Sequence, residues 1–188
     1  MKTSILKSNS WLMTVGFLLI SLNINSQDNK ISRQDQKAAK RDKQYFNFQV
    51  VDSMLENKSF VLEADFLQNQ YGDRVPVLSG VNFIMIDFTN VVLQTGSTAI
   101  RGSNGVGGVT AEGRVEHLKI TKDYKNLTFS VRFTATTQIG IYDIFMTINS
   151  NRYARATISG LTRGKLIYDG RILALYDSGV YKGRNSIY

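Results

Sequence analysis

The chain has no cysteine, a single proline and a single histidine. Without cysteine there is no disulfide framework, no thiolate zinc site and no cysteine nucleophile, so packing and hydrogen bonding must hold the fold together. No cysteine follows the N-terminal apolar run either, which excludes a lipoprotein anchor. The lone histidine, His117, is the only residue on which a Ser–His–Asp triad can be built, and no Gly-x-Ser-x-Gly elbow accompanies it. Gly-Lys-Ser and Gly-Lys-Thr are also missing, which rules out a phosphate-binding P-loop.

At 188 residues, of which 43% are hydrophobic and 20% charged, the chain suits one domain with a substantial core. Lys2 and Lys7 precede an apolar run from Trp11 to Leu22, and the polar stretch Asn23-Ile24-Asn25-Ser26-Gln27 follows. This is the pattern of a secretory signal peptide. The run is shorter than the roughly 20 residues that a bilayer span requires. Residues 1–26 are therefore expected to be removed on export to the periplasm or cell surface, and mass spectrometry of the exported protein should find its N-terminus near Gln27. Loss of Lys2 and Lys7 lowers the basic count from 23 to 21 against 15 acids, a net charge of +6. The basic residues are scattered, as in a solubility charge, and form no block specific for nucleic acid.

Residues 27–43 read as a polar helical lead-in to a single β-rich domain over 44–188. Ser32 with Asp35 in the first turn suits a helix start. Phe46, Val50 and Met54, with Phe48, Val51 and Leu55 beside them, continue the helix towards Asn57. From Ser59 the period changes to two. Strands are expected over residues 59–66, 81–88, 91–95, 110–121, 127–134, 141–148 and 153–158. The imperfect alternation of 110–121 indicates a bulge. The apolar residues on both faces of 81–88 indicate a strand covered on both sides. Asp169-Gly170 reads as a hairpin turn between strands 165–168 and 171–175. The fold class expected is mainly β: one antiparallel sandwich or barrel of about eight or nine strands, preceded by one α-helix.

Between the early and late strands, Gly102 to Gly113 places five of the fifteen glycines in twelve residues. A dinucleotide fingerprint needs a third glycine at fixed spacing and a following helix. Gly105-Val106-Gly107-Gly108 lacks that glycine and leads into a strand. The stretch reads as a close backbone crossing or the lip of a pocket, which makes Gly105, Gly107 and Gly108 candidate ligand-binding positions. Tyr153 and Arg155, opposite Ala154 and Ala156, complete the candidate set. Acid–base chemistry would have to draw on Glu63, Asp65, Glu112 or His117. A metal site from His117, Glu112 and Glu116 would require a bulge to bring the three together. Neither cofactor, metal nor catalytic residue is expected.

The segments Phe60-Val61-Leu62-Glu63-Ala64-Asp65, Val81-Asn82-Phe83-Ile84, Gly102 to Gly113 and Val180-Tyr181-Lys182-Gly183 together resemble the secreted Bacteroidetes proteins catalogued as domain of unknown function 4251. That resemblance covers roughly Gln44 to the end and implies an exported, envelope-associated protein with no assigned activity. Asp52-Ser53-Met54 looks like the short O-glycosylation signal of that phylum as well as an ordinary helix triplet. The function expected is a non-enzymatic, envelope-associated binding or structural domain that holds a small apolar or amphipathic ligand or a protein partner. The alternative is a hydrolase of envelope or glycan material working through strand carboxylates.

Overall fold

The computed structural model describes residues 32–97, 105–160 and 164–186. The signal-like segment and Gly102 to Asn104 lie outside them. The chain divides into two compact units, residues 1–37 and Ala38–Tyr188. Of the first, the described residues show the start of helix α1 (Arg33–Glu56). Ser32 Oγ accepts the amides of Gln34 and Asp35, and the Asp35 carboxylate accepts the Ser32 amide. The hydroxyl cap is the one its sequence called for, and the return bond from the Ser32 amide makes it reciprocal.

The second unit is a closed antiparallel barrel. Its strands are β1 (Ser59–Asn69), β3 (Phe83–Asp87), β4 (Asn90–Thr95), β5 (Val109–Asp123), β6 (Thr128–Thr137), β7 (Gly140–Asn149), β8 (Tyr153–Gly160) and β9 (Lys165–Ala174). Each pairs with the next, and β1 pairs with β9 to close the ring of eight. A ninth strand, β2 (Arg74–Pro76), pairs with the distal half of β1, where β3 no longer reaches. The alternation of Phe129, Val131, Phe133 and Ala135 inward with Ser130, Arg132 and Thr134 outward is repeated around the ring, which is why the sheet can close over one apolar face. Among the described residues the strand edges left unpaired are the short β2, where Pro76 is tolerated, and the part of β5 beyond Val115, which pairs with β6 alone.

Helix α1 plugs the end of the barrel from which β1 rises. Its buried stripe is Phe48, Val51, Met54 and Leu55. The Phe48 ring stacks on Phe129 at 4.3 Å and tilts against Tyr124 at 5.6 Å. Phe46, expected on the apolar line, is exposed, because the barrel base touches only the stripe containing Phe48 and Leu55. Lys122 of β5 bridges Asp52 at 2.6 Å and Glu56 at 2.7 Å. Hydrogen bonds to Asp52 first and Glu56 second hold its ammonium above lysine's ordinary pKa. Asp52-Ser53-Met54 is thus helix, with Asp52 on Lys122 and Met54 in the core.

The bulge expected in β5 is present. Glu116 pairs with Thr134 and Lys119 with Arg132, so His117 and Leu118 together oppose Phe133, and His117 takes φ 53°. The hairpin expected at Asp169-Gly170 is not. Strand β9 runs unbroken through both residues, because it is paired on each side, with β1 and with β8. Gly170 is instead a place of close approach: a Cβ there would run into the Glu63 carbonyl oxygen and the Ala64 Cα. The strand missed by the sequence reading was β2.

Beyond β9 the chain climbs the outer face of the barrel as a strap. It covers a second small core of Val61, Phe83 and Val92, packed against Met85, Leu173 and Val180. That cover explains the two apolar faces of β3. The strap is fixed through Gln94, which is fully buried on the outward side of β4. Its Nε2 donates to the carbonyls of Val81 and Tyr181. Its Oε1 accepts from the Thr110 hydroxyl and the Gly183 amide. Further along, the Ser186 amide donates to the Thr110 carbonyl. Every hydrogen-bonding position of the Gln94 amide is used, and a buried group stripped of its partner costs about 1–3 kcal/mol. Gln94→Leu should therefore loosen the strap, and limited trypsin digestion should then cut at Lys182 or Arg184 much faster than in the wild type. Equal cutting rates would mean that the apolar patch alone holds the strap.

Candidate functional site

Opposite the helix-plugged base lies the other rim, where β4, β6 and β8 end and β5, β7 and β9 begin. At this rim the lumen opens as an apolar pocket of about 220 Å³. Leu93 and Thr95 of β4, Val109 and Ala111 of β5, and Ile139 of the β6–β7 turn form one part of its wall. Tyr142, Ile158 and Leu166 form the rest, and Tyr168 is its floor. These are the inward positions at the far ends of their strands, beyond the point where Phe129, Val131, Met146 and Ile172 fill the lumen.

Tyr168 sets the depth of the pocket. It is buried on β9, and its hydroxyl reaches across the lumen to donate to the Gln94 carbonyl at 3.0 Å. Desolvation raises the phenol above its ordinary pKa, which keeps the floor neutral. Among the described residues this is the only buried tyrosine; its polar end is thereby satisfied, and its ring faces the cavity as apolar surface.

The described part of the glycine stretch, from Gly105, leads into the wall of this mouth at Val109 and Ala111. Gly105 and Gly107 both have φ 78°, a left-handed conformation that suits glycine. Gly108 is required for a different reason: a Cβ would strike the Thr95 carbonyl. The stretch is thus a close crossing at Gly108; Val109 and Ala111 of β5 line the cavity, whereas Gly105, Gly107 and Gly108 are not among its lining residues. Gly107→Val and Gly108→Val should each lower stability by about 1–3 kcal/mol, the range for forced left-handed backbone and overpacking. Unchanged melting of both would sink that reading.

The other sequence candidates lie elsewhere. Arg155 is held by Asp169, with its Nη1 at 3.1 Å from both carboxylate oxygens, while Nη2 donates to Gln68 Oε1. Arg74 of β2, its guanidinium stacked over Phe66, approaches the same buried carboxylate at 3.6 Å. These contacts tie β2, β8 and β9 together. Tyr153 begins β8 at the plugged end and is exposed. It therefore does not meet Gly105, Gly107 and Gly108 at the rim. Of the acid–base candidates, Glu63 accepts the Ser178 hydroxyl at 2.6 Å, Glu112 pairs with Lys182 of the strap at 3.0 Å, and Asp65 is exposed in the β1 bulge. His117 lines a groove on the outer wall with none of these three. Among the described residues no three His, Asp or Glu side chains gather as a metal site, so the β5 bulge does not unite His117 with Glu112 and Glu116. The lining of the mouth could not be found from the sequence, because Ile139, Tyr142, Ile158 and Leu166 read as ordinary core residues until closure places them in one ring.

A closed eight-stranded barrel with a helix-plugged base, an apolar mouth and an outer C-terminal strap is the class that this geometry defines. The chain belongs to the family described as Domain of unknown function (DUF4251), whose profile matches residues 41–172. The matched region stops within β9, so the strap segment Val180 to Gly183 lies beyond it. A crystallised DUF4251 family protein from Bacteroides eggerthii DSM 20697 is similar in structure, with a TM-score of 0.60 and 27% identity. The similarity covers 71% of this chain and 91% of that one. No curated protein matches the chain.

Proposed function

We propose that this is a non-enzymatic binding domain of the cell envelope that takes the apolar end of a small amphipathic molecule into the mouth of its barrel. The carrying observation is the mouth itself, a concavity of about 220 Å³ walled by Leu93, Val109, Ala111, Ile139, Ile158 and Leu166 and floored by a neutral Tyr168. Ligand sites for drug-sized molecules run to about 300–1,000 Å³. This smaller volume suits one end of a ligand, with its polar part left at the rim. Burying apolar surface contributes about 25 cal/mol per Å², so the acyl end of the ligand supplies the affinity. Placement in the envelope rests on the N-terminal pattern from Lys2 to Leu22. Among the described residues no helix is long and apolar enough to cross a membrane.

Octanoate is the probe for this reading. Titration should show saturable binding, and Val109→Trp, which places a large ring at the rim where Val109 is partly exposed, should abolish it without lowering Tm. Tyr153→Ala, at the other end of the barrel, should leave the affinity unchanged. Equal binding by wild type and Val109→Trp would overturn the proposal.

A further inference from the structure

The outer wall of the barrel carries a second concavity, of about 630 Å³, that shares no lining residue with the mouth. It crosses β5 to β9 along two neighbouring rows of outward side chains. Register places Thr134, Asp143, Ser159 and Lys165 side by side in one row, and Arg132, Phe145 and Thr157 in the next. His117 stands at the β5 end of both rows, because the bulge sets it opposite Phe133 rather than in the regular alternation. A bulge of this kind re-aims a side chain, and a histidine at φ 53° is held against its own preference by the strands around it.

The chemistry of the groove is mixed in a particular way. Arg132 lies over the Phe145 ring at 4.7 Å. The ion pairs among the described residues involve neither Arg132 nor Lys165. Asp143 is the one acid in the lining and accepts the Thr134 hydroxyl at 2.8 Å through Oδ1. A carboxylate can accept about four hydrogen bonds. A bare inorganic anion would meet Asp143 as a repelling charge and would make no use of Phe145. An apolar ligand would leave seven polar side chains desolvated. A sugar ring uses all of them: C–H groups against Phe145, hydroxyls donating to Asp143 and exchanging with Thr157 and Ser159. The basic residues at the margins, His117, Arg132 and Lys165, then favour a carboxylate on that sugar. The volume lies within the usual range of about 300–1,000 Å³ for ligand sites.

We infer that this groove is a binding site for an acidic saccharide, separate from the barrel mouth and using His117, Arg132, Asp143, Phe145 and Lys165. Trigalacturonate is the probe, with maltotriose as its neutral counterpart and sodium sulfate as a free anion. Calorimetric titration of the whole exported chain at low ionic strength should give saturable binding of trigalacturonate that weakens with added salt, and none of maltotriose. Arg132→Gln and Lys165→Gln should each weaken binding by about tenfold, a change of about 1.4 kcal/mol. Phe145→Ala should weaken it comparably. His117→Asn tolerates the left-handed backbone and tests the imidazole apart from the bulge; it should lower affinity with Tm unchanged. Absence of trigalacturonate binding, equal affinity for maltotriose, sulfate bound as tightly as trigalacturonate, or unchanged affinity in the variants would each overturn the assignment. Octanoate should not compete, and competition by it would do the same.

Discussion

Gly170→Ala is expected to lower stability by about 3 kcal/mol or more, at the upper end for overpacking, in a fold whose whole margin is of the order of 5–15 kcal/mol. The added methyl would overlap the Glu63 carbonyl oxygen and crowd the Ala64 Cα. Both belong to backbone that cannot rotate away as a side chain does. The site is also the seam of the barrel: Gly170 pairs with Ala64 and Asp169 with Phe66, on either side of the extra residue Asp65. Separating β9 from β1 there opens the ring that removes the sheet's edges, so the loss should appear as lower Tm together with a greater tendency to associate. Gly80→Ala is the control, since nothing lies within 4 Å of a Cβ at that position; it should stay within about 0.5 kcal/mol of wild type. Similar melting of the two variants would show that the seam can widen.

Tyr168→Ala is expected to cost about 3–5 kcal/mol, the range for emptying a buried aromatic site. The void would join the mouth, so the variant should accept longer acyl chains than the wild type. Tyr168→Phe keeps the ring and removes only the donor to the Gln94 carbonyl, at a cost of about 1–3 kcal/mol. The pair separates volume from hydrogen bonding. It also makes a pH prediction. Burial raises the phenol's folded pKa above its unfolded value near 10. The tyrosine's stabilising contribution is therefore intact below about pH 10 and falls above it, by up to about 1.4 kcal/mol per pH unit. The wild type should lose stability more steeply than Tyr168→Phe in alkaline urea titrations; parallel curves would mean that the phenol ionises without penalty in the fold.

Local chemistry was readable from the sequence, and closure was not. The Ser32–Asp35 cap, the strand period of Leu127 to Thr134 and the irregularity of β5 are statements about neighbours in the chain, and each is present in the fold. Asp169-Gly170 misled because Asp-Gly is a turn signal only when no strand lies close enough to need the missing Cβ, and β1 does lie that close. The strap announced itself indirectly, as outward apolar residues Phe83 and Val92 whose cover lies some ninety residues downstream in Val180 to Gly183. Arg155 looked like a ligand-facing residue because its partner Asp169 is brought beside it only by the β8–β9 register. The mouth depended most on tertiary structure: its lining residues come from six separate segments, none of them unusual for a core strand.

The central claim, that the barrel mouth is a ligand site, is tested most directly by methyl NMR during octanoate titration. Saturable shifts confined to Leu93, Val109, Ile139, Ile158 and Leu166 are predicted, with Val51, Leu55 and Ile86 at the plugged base unmoved. Shifts that do not saturate, or that appear at the base or along the strap instead, would contradict the account.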